Sequence, residues 1–478
     1  MTKLERRWKV LLVTAAAVFM AFLDVTIVNV AFPSIEHAFP EASVAGLSWV
    51  LNAYNIVFAA LLVPAGRLSD LVGRRRMFFI GLWVFMLASA ACGLAPSVEV
   101  LIAARAVQAA GAALLVPTSL ALLLPEFPPE RRATATALWG AIGAVAAATG
   151  PSLGGVLIQW TDWRLVFFVN LLIGGAALIP ARRLLHEIRD PDRGAVPDML
   201  GIVLLAGSIG LLSLAIVEAP DWGWGSAPIL GAFAGAALLA VAFIRRSFTH
   251  HHPVLELHLF RVRSFAVACA GVGIFSLGFY ALLLSGILFL TGVWHYSILK
   301  AGFAVTPGPL MAALSAATAG RIADRFGSGA VAFPGGVLFA SGTLFFTLVA
   351  GTEPHYLTHY LPGMILTGLG VGASFAGFGS AAVAELPPLR YATGSAINAT
   401  CRQIGAVLGI AVLIAILGDH PALSDFQAGW TLMVVTGTVA ALAGFSLGRV
   451  RATVPAWTSK SAPSTTPSPE RAPSAARS

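Results

Sequence analysis

Three charged side chains lie deep within long apolar stretches of the chain, at Asp24, Arg105 and Arg402. A charge inside hydrocarbon is costly, so residues of this kind are usually retained for a function. Arginine keeps its proton under physiological conditions, whereas a carboxylate can take up and release one. Asp24 is therefore the candidate proton carrier, and an arginine at the same depth is its candidate partner.

The positions of Asp24 and Arg105 along their apolar runs predict similar depths. Asp24 lies seven residues before the end of the run 9–31, and Arg105 lies seven residues after the start of the run 98–120. At about 1.5 Å per residue, both lie roughly 10 Å below the outer end of their helices. We expect them to pair directly or to share a watery cavity. Proton uptake by Asp24 would free Arg105 to contact Gln108, one turn deeper; the alternative is a static pair that only joins the two helices.

A polar octapeptide with the pattern G-R-[LI]-x-D-x-x-G occurs twice, at residues 66–73 and 320–327. Each copy follows an apolar run, and repetition at matching points is typical of duplicated membrane bundles that alternate access around a central site. The copies are unequal, because the basic run 74–76 follows the first and residues 328–330 (S-G-A) follow the second. We expect the first copy to be the functional one and the second to be a residual turn.

Within the first octapeptide, Gly66 and Gly73 permit a tight reversal between helices. Asp70 can cap a helix N-terminus or pair with an arginine such as Arg74. The predicted span that begins near Thr393 lies on the same face, so its positive end is a candidate partner for Asp70. A simple turn anchored by positive charge is the alternative, which the duplication disfavours.

A ridge of small residues in the run 134–157 ends in the cluster Gly150, Pro151, Gly154 and Gly155. Small residues let membrane helices approach closely, and proline removes one backbone hydrogen bond and kinks the helix. Generic packing explains such a ridge equally well, although the cluster is denser than packing requires.

These residues lie in a chain of 478 residues that is 57% hydrophobic and only 11% charged, far from the soluble norm. Fourteen apolar runs are each long enough to cross a bilayer as a helix. They are 9–31, 46–65, 77–95, 98–120, 134–157, 164–181, 198–218, 228–244, 265–290, 302–319, 330–350, 358–382, 393–417 and 428–448. The sequence therefore predicts an all-α polytopic membrane protein.

The distribution of basic residues predicts the orientation. All but four of the 30 lysines and arginines lie on loops of one parity or at the ends of the chain. By the positive-inside rule, both termini are cytoplasmic. The net charge of +8 is then a topology signal, and we expect no nucleic-acid partner.

Counting spans between the octapeptides predicts the domain organisation. Eight predicted spans separate the copies, whereas two equal six-helix bundles would place six between them. We therefore expect two extra central helices. The predicted domains are an N-terminal bundle (1–190), a central two-helix insertion with linkers (191–260), a C-terminal bundle (261–450) and a disordered cytoplasmic tail (451–478). The tail is predicted to be disordered because it is rich in Ser, Pro and Thr and poor in apolar residues.

Several motifs in order make the chain similar to the fourteen-helix drug:proton antiporters of the major facilitator superfamily. They are residues 23–33 (L-D-V-T-I-V-N-V-A-F-P), residues 66–76, Arg105-x-x-Gln108, Gly150-Pro151-x-x-Gly154-Gly155, Trp163-Arg164 with Phe167 and Asn170, and Asn398 with Arg402-Gln403. Departures from the family pattern are Phe32, Ala109 and Ala146. The resemblance covers about residues 9–450.

The resemblance implies a major facilitator fold with a central cavity, acting as a proton-coupled exporter by alternating access. By resemblance, Asp24 and Arg105 would carry the coupling, and Asp70 with Arg74 would latch the cytoplasmic gate in the outward-facing state. We expect Asp24→Asn to abolish proton-coupled export and to leave folding and substrate binding largely intact. Some relatives bind dications through an extra acid, and residues 301–320 contain none.

Aromatic residues on the predicted spans are weak candidates for a substrate cavity, because such residues more often serve packing. They are Phe22, Trp49, Tyr54, Phe58, Phe275, Phe279, Tyr280 and Phe378. We expect fewer than half of them to touch substrate.

The expected partners are a small amphipathic substrate, protons and the lipid of the cytoplasmic membrane, with the protein acting as a monomer. We expect no cofactor, because no lysine follows a glycine in a phosphate-binding loop. We also expect no metal, because the histidines 250–252 lack a completing ligand set. The alternatives are a dedicated exporter of one endogenous metabolite or self-made antibiotic, and more remotely a membrane sensor or an intramembrane enzyme.

Overall fold

A computed structural model describes residues 5–128, 132–188, 198–251, 253–387 and 390–450. This part of the chain contains helices and connecting turns and no strand. The predicted disordered tail, 451–478, lies outside the described residues, as does the predicted boundary at residues 190 and 191.

The described residues form fifteen α-helices, numbered in chain order. They are α1 (Arg6–Ala38), α2 (Val44–Val72), α3 (Arg74–Gly93), α4 (Val98–Leu123), α5 (Arg132–Trp160), α6 (Leu165–Leu184), α7 (Met199–Trp222), α8 (Ala227–Thr249), α9 (Arg263–Gly292), α10 (Ile298–Val305), α11 (Pro307–Phe326), α12 (Gly329–Val349), α13 (Leu361–Ala384), α14 (Tyr391–Leu417) and α15 (Leu423–Leu447).

Fourteen membrane-spanning segments are confirmed by helix length and composition within the described residues. Helices α10 and α11 together form the tenth span, Ile298–Phe326. The interruption falls at Pro307, whose nitrogen cannot donate a helical hydrogen bond. Because the number of spans is even, the first and last described residues lie on the same face.

Serine and glycine residues determine where several helices begin and end. The hydroxyls of Ser43, Ser97 and Ser226 accept backbone N–H bonds at the starts of α2, α4 and α8. Gly73 and Gly327 follow α2 and α11 with positive φ angles of 121° and 98°. These two glycines end the two octapeptides, so the repeated sequence adopts a repeated helix-ending turn.

The prediction that Gly66 takes part in this reversal is wrong. Helix α2 continues through Gly66 to Val72, so only Gly73 adopts a conformation that favours glycine. Asp70 lies in the last turn of α2 and therefore does not cap a helix N-terminus. The apolar run ended at residue 65, but nothing in the polar octapeptide stops a helix before Gly73.

Two six-helix bundles are visible in the packing. In the first, α1 packs on α4, α5 and α6, and α4 packs on α2 and α3. In the second, α9 packs on α14 and α15, while α13 packs on α11 and α12. The extra pair α7–α8 packs on itself, and α7 contacts both α2 and α14. The two extra helices therefore lie at one seam between the bundles.

Candidate coupling site and cytoplasmic gate

The structure brings Asp24 of α1 and Arg105 of α4 into a direct ion pair. Arg105 Nη1 lies 2.5 Å from Asp24 Oδ2, and the two side chains are 1% and 0% exposed. At this burial both charges depend on protein partners for the solvation that water would provide. Asp24 and Arg105, which the sequence predicts to lie at similar depths, are therefore in direct contact.

Amide and hydroxyl groups from three other positions surround this pair. Gln108 Nε2 and Asn170 Nδ2 both donate to Asp24 Oδ1, at 2.8 and 3.1 Å. The same two amides donate to the hydroxyl oxygen of Ser89, each at 2.9 Å. Side chains of α1, α3, α4 and α6 thus form one hydrogen-bonded cluster, in which α4 and α6 contact the Asp24 carboxylate directly and α3 contacts it through the two amides.

Gln108 contacts Arg105 in a different way from the one that the sequence predicts. Arg105 Nη1 donates to Gln108 Oε1 at 2.6 Å while its ion pair with Asp24 is formed. Gln108 is therefore a partner of both charges at once, and Arg105 needs no release from Asp24 to reach it.

The guanidinium of Arg105 is also oriented by groups outside this cluster. Its Nε donates to the backbone carbonyl of Val50 at 3.1 Å. Its Cζ lies 4.2 Å from the ring centroid of Tyr54 and 5.8 Å from that of Phe167, both cation–π distances. Arg105 thus connects α1, α2, α4 and α6, so a change in its charge balance acts on several helices.

Sequence reasoning gave Asn170 no role beyond the family pattern and missed Ser89 altogether. A polar amide in the apolar run 164–181 was a visible signal for Asn170. Ser89 carried no such signal, because serines are frequent in membrane helices and bond to their own backbone.

A small cavity of about 10 Å³ lies next to the ion pair, between the two bundles. Its lining includes Tyr54 and Tyr280 from the predicted aromatic set, and Tyr280 donates its hydroxyl hydrogen to Gln403 Oε1 at 3.1 Å. The complete lining is Val25, Asn29, Leu51, Tyr54, Asn55, Arg105, Tyr280 and Ile410.

The other predicted aromatic residues lie in packing positions. Phe58 stacks on Tyr54 with ring centroids 6.0 Å apart. Phe275 and Phe378 are fully buried in the second bundle, where Phe275 packs on Phe339 at 4.9 Å. Phe279 packs between Tyr280 and a neighbouring phenylalanine.

Of the remaining pair, Phe22 packs against Gly143 of α5, and Trp49 is half-buried against the main apolar core. Neither lines the cavity between the bundles. Two of the eight predicted aromatic residues therefore reach it.

The polar residues of α14 are less closely connected than those of the first bundle. Asn398 Nδ2 lies 3.5 Å from the carbonyl oxygen of Ala268, and Gln403 accepts from Tyr280. Arg402 Cζ lies 5.7 Å from the ring centroid of Phe375 and forms no ion pair with any described carboxylate. Unlike Arg105, Arg402 has no acidic partner on a neighbouring described helix.

At the cytoplasmic face, Asp70 pairs with Arg74 across the turn after α2. Arg74 Nε lies 2.9 Å from Asp70 Oδ1, and Arg74 Nη1 donates to the carbonyl of Ala121 at 3.3 Å. Glu187 accepts from the first backbone N–H groups of α3, at Arg75 and Arg76. Arg74 thus links the octapeptide turn to α4, and the Glu187 carboxylate links the start of α3 to the segment after α6, as expected at a positive helix end.

The start of α14 meets a different carboxylate from the predicted Asp70. Glu256, in the segment between α8 and α9, accepts from Arg67 Nη2 at 3.1 Å and from Arg390 Nη1 at 2.5 Å. Arg67 belongs to α2 and Arg390 immediately precedes α14, so one buried carboxylate joins the two bundles. Asp70 forms no hydrogen bond or ion pair with a described residue of α14.

The glycine cluster of α5 faces helices of both bundles. Gly150 and Gly154 lie directly against the side chains of Thr26 and Ile27 on α1. Gly155 and the carbonyl of Pro151 lie against α10 of the second bundle. The cluster therefore lets α5 touch the helix that carries Asp24 and the opposite bundle at once.

Comparison with known proteins places this architecture in a family. The family model for the Major Facilitator Superfamily matches residues 14–410. The chain is 34% identical over 408 residues, 85% of this chain and 75% of the relative, to Multidrug resistance protein Stp of Mycobacterium tuberculosis (strain CDC 1551 / Oshkosh). It is 34% identical over 409 residues, 84% of this chain and 86% of the relative, to the Methylenomycin A resistance protein of Bacillus subtilis (strain 168).

A third relative, the Tetracenomycin C resistance and export protein of Streptomyces glaucescens, is 31% identical over 415 residues, 87% of this chain and 77% of the relative. Among solved structures, a bacterial homologue of the human lysosomal transporter Spinster in an inward-facing and unoccupied conformation shares the fold. Its TM-score is 0.65, its sequence identity is 18%, and the match covers 93% of this chain and 97% of that chain. The chain belongs to the Major Facilitator Superfamily and is a multi-pass transporter of the cell membrane.

Proposed function

We propose that the protein is a proton-coupled antiporter that exports amphipathic small molecules, with Asp24 as the proton carrier. The observation that carries this proposal is the fully buried Asp24–Arg105 pair in a chain of this family. Named relatives that confer multidrug or antibiotic resistance support the export of drug-like cargo. A proton entering down a potential of about 100 mV contributes roughly 2.3 kcal/mol to the cycle.

In this mechanism, proton uptake removes the negative charge of Asp24 and leaves Arg105 without its counter-charge. Arg105 keeps Val50 and Gln108 as acceptors, so the attachment of α1 to α4 weakens while α4 stays bound to α2. Helix α1 packs on α5, which in turn contacts α10 and α11 of the second bundle. A proton on Asp24 therefore changes the balance of contacts between the bundles.

On the cytoplasmic side, we assign the gate to two ion-pair groups. The pair of Asp70 and Arg74 holds the turn between α2 and α3. Glu256 joins Arg67 to Arg390 and must release one of them when the bundles separate at this face. The gate thus opens by breaking charged contacts that water and lipid headgroups can replace.

A second proposal is that the protein exports a single compound instead of many. Two of the relatives named above are designated for resistance to a single antibiotic, which favours this alternative. Resistance of a host expressing the protein toward many unrelated compounds supports the broad exporter. Resistance to one compound alone supports the dedicated one.

We further propose that the protein acts as a monomer and without enzymatic activity, cofactor or nucleic-acid partner. We also propose the domain limits that the sequence predicts, 1–190, 191–260, 261–450 and 451–478. The proton gradient alone then supplies the driving force.

Transport in proteoliposomes with an imposed pH gradient tests the proposal. We expect uphill cargo movement in the wild type and none in Asp24→Asn. The matched control is Asp162→Asn, because Asp162 is half-exposed and pairs only with Arg164 on an outer loop. Gradient-driven transport by Asp24→Asn at the wild-type rate would refute the role of Asp24.

A further inference from the structure

Two buried amides line the cavity between the bundles and present oxygen atoms without a protein partner. Asn29 on α1 is 5% exposed and Asn55 on α2 is 4% exposed. The Oδ1 atom of each is buried and accepts no hydrogen bond from any described residue. Buried polar atoms are nearly always paired, and these two acceptors belong to residues that line a cavity, so they point to a ligand there.

The orientation of the Asn29 amide follows from its own helix. Its Nδ2 donates to the carbonyl of Val25 at 2.6 Å, a bond that the amide oxygen could not make. The oxygen therefore faces away from the α1 backbone, on the residue that lines the cavity. This hydrogen bond fixes which side-chain atom of Asn29 is nitrogen and which is oxygen, so the atom left without a partner is an acceptor.

The surroundings of these acceptors favour an uncharged partner. Among the described residues, no carboxylate lines the cavity, and the one charged lining group is the Arg105 guanidinium. A cationic group would approach that guanidinium without an acid of its own to bind. An anionic group would face two amide oxygens. A neutral donor, such as a hydroxyl or an amide N–H, can bond to the amide oxygens and is not repelled by the guanidinium.

The lining comes from both bundles. Asn29 and Asn55 belong to the first, whereas Tyr280 and Ile410 belong to α9 and α14 of the second. In this conformation the cavity, about 10 Å³, admits a group the size of one water oxygen. A cargo hydroxyl fits there, while its apolar body requires the wider cavity of a more open state.

We infer that Asn29 and Asn55 form a polar subsite that binds a neutral hydrogen-bond donor of the cargo, so that the preferred cargo is an uncharged amphiphile with a hydroxyl or amide N–H group. This inference rests on the proposed export function. Asn29 lies on the same helix as Asp24, and Arg105 borders the subsite, so cargo and proton bind to adjoining parts of one cluster.

The test compares neutral alcohols with their methyl ethers, which lack the donor. The probes are 2-naphthalenemethanol and 4-biphenylmethanol, each with its methyl ether, and their affinities for the purified protein are measured by equilibrium binding. We expect the wild type to bind each alcohol about tenfold more tightly than its ether, the effect of one or two hydrogen bonds. Asn29→Leu and Asn55→Leu should each remove most of this preference.

The matched control is Asn52→Leu. Asn52 is also a buried asparagine of α2 without a partner for its side chain, but it does not line the cavity. We expect this variant to keep the preference for alcohols. Thermal unfolding identifies any variant that fails to fold, and two independent subsite variants keep the test decisive.

Three results would overturn the inference: equal affinity of the wild type for alcohols and ethers, no binding of either alcohol, or an unchanged preference in both subsite variants. If one of these results is obtained while the wild type still exports another cargo under a pH gradient, the subsite inference is refuted and the proposed function stands. Failure of the wild type to export any cargo under a pH gradient counts against the proposed function itself.

Discussion

Replacing Asp24 by asparagine should destabilise the protein as well as stop its coupling. Asp24 accepts hydrogen bonds from Arg105, Gln108 and Asn170, at 2.5, 2.8 and 3.1 Å. An asparagine brings an N–H₂ group into a site where every partner is a donor, and it leaves the Arg105 charge without a counter-charge. Breaking a buried ion pair from one side costs about 3–5 kcal/mol, so we expect a loss of that size in the free energy of unfolding.

A double-mutant cycle isolates the ion pair. Arg105→Met removes the orphaned charge from the Asp24→Asn background and puts an apolar side chain of similar length in its place. The double variant should therefore be more stable than the sum of the two single changes predicts, by about 2–3 kcal/mol. Denaturant unfolding in detergent, followed by tryptophan fluorescence, measures all four proteins.

Additive effects, within about 0.5 kcal/mol, would refute a direct and desolvated contact between the two side chains. The same four proteins, assayed for gradient-driven transport, separate stability from coupling. Because the double variant recovers stability without a titrating carboxyl, we expect it to fold well and to remain uncoupled. Gradient-driven transport by the double variant would place the proton carrier elsewhere.

Two further predictions concern contacts between helices. Gly150→Ala should reduce the free energy of unfolding by about 1–3 kcal/mol, because its methyl group would overlap a side chain of α1. The control is Gly140→Ala, which lies in open space on the same helix and should be neutral or slightly stabilising. Equal effects of the two changes would contradict the close packing of α5 on α1. Glu256→Gln should weaken the links to Arg67 and Arg390 by about 1–2 kcal/mol in total, because both arginines are partly exposed. Spin labels on the cytoplasmic ends of α2 and α14 should then show a longer or broader distance, and an unchanged distribution would exclude Glu256 from the gate.

The sequence and the structure give different predictions for the stability of Asp24→Asn, because only the structure shows the hydrogen bonds that Asp24 accepts. The pairing of Asp24 with Arg105 could be predicted, because depth in a membrane follows from counting residues along two apolar runs. The surrounding amides could not, because Asn170 lies 146 residues from Asp24 and nothing in its own run indicates which helix it faces. Without that cluster, the sequence predicts a site that tolerates an amide, whereas the contacts of Asp24 predict a site that does not.

The cytoplasmic gate also contains contacts that the sequence predicts and contacts that it does not. The repeated octapeptide predicted the turn at Gly73, and the pairing of Asp70 with Arg74 needs only one helical turn of separation. The role of Glu256 could not be predicted, because its two arginine partners lie 189 and 134 residues away along the chain. Its role as the joint between the bundles depends on how α2 and α14 meet.

The sequence by itself determined that this protein crosses the membrane fourteen times, which face is basic, and which charges lie at depth. These properties follow from local hydropathy and residue counting, because the bilayer imposes one direction on every helix. The tertiary structure alone decided which helices touch, which polar groups surround Asp24, and which amide oxygens of α1 and α2 are buried without a partner among the described residues. Lateral packing between apolar helices depends on side-chain shape and on hydrogen bonds between distant residues, and hydropathy along the chain contains neither.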